Sequence, residues 1–74
     1  MTFEEAEVFM HDGNVAHRTS DKYYWESGLA IVNNEFWWVE PIWEGFKQKY
    51  PAHVDDKMKT DTDWEIVRMP RKNV

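Results

Sequence analysis

The sequence predicts a small α+β protein: an antiparallel sheet with an N-terminal helix and one or two short helices packed on one face. Three observations predict it. Residues 2–13 place apolar groups at helical spacing between a capping residue and a glycine. The segments "GLAIV" and "FWWVE" are apolar, β-branched and aromatic, and a pair of asparagines separates them. "WEIVRM", close to the end, reads as one more strand.

The helix has both ends marked. Thr2 is a favourable N-cap and Glu5 follows three residues on, the pattern of a capping box. Phe3, Ala6, Phe9 and Met10 form one apolar stripe. Glu4, Glu5 and Glu7 sit where the helix dipole favours negative charge, and Gly13 supplies a stop. A strand is expected over 14–19, bounded by Gly13 and the turn-like "TSDK", and a short aromatic strand at "YYWES". Asn33 and Asn34 tolerate positive φ and predict a tight hairpin between the next two strands. Pro41 is expected to end the second of these. In "IWEGFKQKY" the spacing of Ile42, Trp43, Phe46 and Tyr50 predicts a helix, ended by Pro51. Val54 and Met58, four apart, mark a further helical turn, and Pro70 closes the last strand. Residues 1–70 then form a single domain, with 71–74 a loose tail.

A chain of 74 residues buries a limited fraction of its surface and usually needs a staple. There is no cysteine, so disulfides and the common zinc clusters are excluded. His11, His17 and His53 have no metal-ligand spacing, and no cofactor is expected. Oligomerisation remains as the staple, and an aromatic content of 16% suits an interface core. The net charge of −5 argues against a nucleic-acid binder. No apolar run reaches membrane-spanning length, and no basic stretch precedes an apolar one at the start. The expectation is a soluble cytoplasmic protein with no membrane or nucleic-acid partner.

Strand alternation sharpens the question of what covers the sheet. Phe36 and Trp38 fall on one face, Trp37 and Val39 on the other. Trp64 and Ile66 share a face with Arg68, while Val67 and Met69 take the opposite one. An antiparallel sheet in a monomer usually keeps one face solvated, and these strands are apolar on both. Either the "IWEGFKQKY" segment or another subunit covers the second face, or part of it lines a pocket where an indole stacks on a planar ligand. Trp37, Trp38 and Trp43 are the candidate interface residues. One of Trp37 and Trp38 is expected against the N-terminal helix and the other between subunits.

The two ends of the chain resemble a known family. "MTFEEAEVFMHDGNVAHRTSDKYYW", through Phe3, Glu5, Ala6, Gly13, Val15, Arg18 and Trp25, is similar to the opening of the phage Tad2-like proteins (Thoeris anti-defence 2). Asp63, Trp64, Glu65 and Val67 resemble that family's D-W-E-x-V terminal strand. The resemblance implies a non-enzymatic protein of the infected bacterial host's cytoplasm. It would be a homo-oligomer, dimeric or tetrameric, that sequesters a cyclic nucleotide-derived immune signal. Such a signal, cyclic ADP-ribose-like or a cyclic oligonucleotide, offers a base to stack on and phosphates for an Arg fork. Arg18, Trp25, Asp63 and Trp64 sit at the matching motif ends and are the candidate ligand residues.

Three of them also have a plainer role: Arg18 as a surface charge, Trp64 as a core indole, Asp63 as a turn cap. Catalysis is poorly supplied. His17, Ser20 and Asp21 are close in sequence, but strand alternation puts His17 and Ser20 on different faces, and Gly13, Gly28 and Gly45 are isolated. The competing function is a small acidic inhibitor of a host or defence protein. The acidic residues cluster in "EEAE", "DD" and "DTDWE", interleaved with Lys57 and Lys59.

Overall fold

A computed structural model describes residues 1–21, 27–42 and 45–67. The element order is α1 (Phe3–His11), β1 (Ala16–Arg18), β2 (Gly28–Val32), β3 (Glu35–Ile42), β4 (Gly45–Pro51), α2 (Asp56–Thr60) and β5 (Trp64–Ile66). All pairings are antiparallel, in a five-stranded sheet of order β4-β3-β2-β1-β5. This is the α+β class that the pattern predicts. Residues 23–26 of the expected "YYWES" strand, Trp25 among them, and Trp43, Arg68, Met69, Pro70 and the tail lie outside the described residues.

The local signals around α1 hold. Thr2 Oγ1 accepts the Glu5 N–H at 3.2 Å, and Glu5 Oε1 accepts the Thr2 N–H at 2.9 Å. Hydrogen bonds to its carboxylate from the Thr2 backbone and side chain hold the Glu5 carboxyl below its usual range. Gly13, at φ 92°, leaves the helix in the left-handed region that a glycine adopts without cost. Phe3, Ala6 and Met10 are buried, whereas Phe9, expected on the same stripe, is 45% exposed. At 3.6 residues per turn Phe9 lies on the flank of a stripe centred between Ala6 and Met10.

Asn33 and Asn34 both take positive φ, 52° and 64°, and turn β2 into β3 in a two-residue hairpin. Further along, two expectations fail. β3 does not stop at Pro41, and "IWEGFKQKY" is not a helix. β3 runs on to Ile42, and β4 pairs back along it from Ile42↔Gly45 to Trp37↔Pro51. Proline is tolerated where a strand has little ladder to break. Pro41 lies beyond Gly28↔Val39, the last β2–β3 pair, and Pro51 is on the sheet's outer strand. The apolar spacing misled because Phe46 and Tyr50, four apart, share a helix face. Here a register shift intervenes: Gln48 pairs with Val39 and Tyr50 with Trp38, leaving Lys49 as the extra residue of a bulge. The bulge sends Phe46 and Tyr50 to opposite faces. β1 is also shorter than the predicted 14–19, and α2 is the helical turn expected around Met58.

Two apolar clusters flank the sheet. Phe3, Ala6 and Met10 of α1 and Met58 of α2 pack on Ala16, Leu29 and Trp64, with Ile31, Phe36, Trp38 and Ile66 around them. On the opposite face Val15, Ala30 and Val39 are buried, bordered by Trp37, Phe46 and Val67. Trp38 therefore belongs to the helix-bearing face and Trp37 to the other, as alternation requires; both are half-buried. Gly28 lets β1 and β2 close up: a Cβ there would collide with Val15 Cγ1 and stand 3.0 Å from the Ala16 carbonyl oxygen. The outer edge of β5 is occupied by Met1, whose carbonyl accepts the Trp64 N–H at 3.1 Å and whose amino group donates to the Trp64 carbonyl at 2.8 Å. No helix among the described residues is long and apolar enough to cross a membrane.

Candidate functional site

Three of the four candidate ligand residues come together at one corner of the sheet. β1 and β5 pair Arg18 directly with Trp64, and Asp63 precedes β5. Trp25 falls outside the described residues.

Side chains at the corner are densely partnered. Trp64 is 1% exposed, with its indole edge-on to Phe3 at 5.3 Å and its Nε1 donating to the Met58 carbonyl at 2.9 Å. One ring face is covered by the Arg18 guanidinium, whose Cζ sits 5.5 Å from the centroid, a cation–π contact. Arg18 Nη1 donates to Asp61 Oδ2 at 2.9 Å and Nη2 stands 3.8 Å from Asp21 Oδ2, with the Arg18 side chain 15% exposed. The Arg18 hydrogen bond holds the Asp61 carboxyl below its usual range, and Lys57 Nζ at 3.2 Å adds to this.

Asp63 organises the turn after β1. Its carboxylate accepts the Ser20 N–H at 2.6 Å and the Thr19 hydroxyl at 3.3 Å, while its carbonyl accepts the Thr19 N–H at 3.1 Å. Bonds from the Ser20 hydroxyl and backbone lower its pKa to about 2. Asp63 thus holds the 19–20 turn against the start of β5.

The interface candidates lie elsewhere. On the helix-bearing face Trp38 pairs across the strands with Tyr50, which is 57% exposed, and Ile42 further along is 44% exposed. Glu40 pairs with Lys47 between them. Among the described residues β4 runs alongside β3 alone, with Phe46 reaching the reverse-face cluster. On the reverse face Trp37 and Phe46 border the second cluster. Trp38 lies two strands, about 10 Å, across the sheet from Ala16, and Arg18 is two residues further along β1. Trp43 is outside the described residues.

Sequence reading missed Asp61, the closest partner of Arg18, and Tyr50, the partner of Trp38. "DTDW" carried a signal for the first: in an extended run Asp61 and Asp63 alternate with Thr62 ahead of Trp64. Tyr50 was hidden by the helical spacing of its segment. Among the described residues no three His, Cys, Asp or Glu side chains gather as a metal site. No protein-family model, no curated protein and no solved structure matches this chain.

Proposed function

We propose that the protein acts by stoichiometric binding, as a homo-oligomer that sequesters a cyclic nucleotide-derived signal. The observation that carries this reading is the aromatic β3–β4 hairpin. Trp38 and Tyr50 present ring surface on the helix-bearing side and Trp37 and Phe46 on the reverse, and among the described residues no helix packs against the outer strand of the hairpin, β4. Half-buried and exposed rings of this kind take a base by stacking, each contact contributing roughly 1–3 kcal/mol. The same rings serve a subunit contact, since interface cores favour Trp and Tyr. Both uses are met if the pocket lies between subunits.

In this reading Arg18 offers Nη2, the nitrogen on the 3.8 Å side towards Asp21, while Nη1 stays with Asp61. Trp64, enclosed on its Phe3 and Arg18 sides, holds the guanidinium in place, and Asp63 holds the neighbouring turn. No turnover is needed.

The test is calorimetric titration of the purified protein with cyclic ADP-ribose isomers and cyclic oligonucleotides, with mass read by light scattering. Sequestration requires tight binding at one or more sites per oligomer, with ligand recovered intact after denaturation. Trp37→Ala or Trp38→Ala should dissociate the oligomer. A monomer that binds none of the panel ends this reading and turns attention to a protein target.

A further inference from the structure

We propose that the outward face of α1 is a docking site for a basic amphipathic segment of another protein. This surface is separate from the β3–β4 hairpin and does not depend on the sequestration reading.

Val8 is 69% exposed and Phe9 45%, although both sit on a helix whose opposite side is fully buried. Together with His11 and Asp12 they line a shallow depression of about 370 Å³. That is room for one large apolar side chain and its surroundings. Helical spacing puts Glu4 and Glu5 one turn before Val8 and Asp12 one turn after it, so carboxylates ring the apolar patch. Lys and Arg are absent from residues 1–17 of the sequence. The rim is therefore acidic: beyond the histidines, the cation of residues 1–17 is the Met1 amino group, which donates to the Thr62 and Trp64 carbonyls.

That charge decides the occupant. A second copy docking face to face would set carboxylate against carboxylate in a chain of net charge −5. Nucleic acid and anionic lipid are repelled for the same reason. A segment with one large apolar anchor flanked by Lys or Arg satisfies both the depression and the rim.

The test is selection of random dodecapeptides displayed on phage against the folded protein. Selected peptides should be rich in Lys and Arg around a single Leu, Phe or Met. Their synthetic versions should bind Val8→Ser/Phe9→Ser and Glu4→Gln/Asp12→Asn at least tenfold more weakly, with affinity falling as salt rises. All four positions are exposed, and a circular dichroism melt checks that both variants stay folded. Acidic consensus peptides, no enrichment, or binding unaffected by both variants overturns the proposal. So does a concentration-dependent dimer that Val8→Ser/Phe9→Ser abolishes.

Discussion

Trp64 and Trp38 lie on the same face of one sheet, yet one indole is sealed and the other is half-exposed. The difference is where the helices sit. α1 packs on β1, β2 and β5, and α2 packs on α1, so the rows of the sheet around Trp64 have a roof. Among the described residues β4 runs alongside β3 alone, and the far side of Trp38 ends in exposed Tyr50. Folding free energy is concentrated in the roofed half. The hairpin half carries large aromatics that do less for the monomer, and such rings are available for binding. The outer strand is also irregular: it carries the bulge at Lys49 and ends in Pro51, features that make an edge a poor template for further pairing.

Trp64→Ala should break the roofed half most severely. It empties the largest fully buried side chain among the described residues, removes the bond to the Met58 carbonyl and strips the surface under Arg18. The expected loss is about 3–5 kcal/mol, read from urea unfolding. In a domain this small that is a large part of the total stability. A loss under about 1 kcal/mol would mean that the two halves are not held differently.

Gly28→Ala comes next. The added methyl meets Val15 Cγ1 and the backbone of Ala16 at the β1–β2 seam. Overpacking of this kind costs about 1–3 kcal/mol. If thermal melting shows no destabilisation, the seam is looser than the geometry indicates, and the roofed half yields more readily than its burial suggests.

How legible these halves were differs in the same way. The capping box of Thr2 and Glu5, the Asn33-Asn34 turn and the alternation of Trp37 and Trp38 are local rules, and each was readable from a few neighbouring residues. β4 was not, because its identity depends on pairing with β3 and on a bulge that no local spacing reveals. Arg18, Asp63 and Trp64 could be named from motif ends, but their closure on Asp61, Ser20 and Phe3 is tertiary. The exposure of Phe9 has the same origin: the helix stripe was legible, but not how wide the covering contact would be.

Acid should loosen the roofed half at its rim. Asp63 has its folded pKa lowered to about 2 from 3.8. A depressed carboxylate contributes stability above its unfolded pKa and loses it as pH falls through the folded one. The stability gap between the wild type and Asp63→Asn should therefore be constant above pH 5 and narrow between about pH 4 and pH 2. Unfolding curves recorded at several pH values measure it. A gap unchanged down to pH 2 would detach Asp63 from the 19–20 turn.

The smallest effect belongs to the hairpin. Tyr50→Ser removes a ring that is 57% exposed and whose cross-strand partner, Trp38, keeps its packing on the helix-side cluster. Exposed positions of this kind shift stability by about 0.5 kcal/mol or less. The contrast with Trp64→Ala isolates the cause, since both replace an aromatic ring on the same face of the same sheet. If Tyr50→Ser destabilises a dilute monomer as much as a core truncation does, the hairpin is part of the folding core. If it leaves unfolding unchanged but weakens self-association or ligand uptake, Tyr50 is retained for binding, and the uncovered half of the sheet is where that binding occurs.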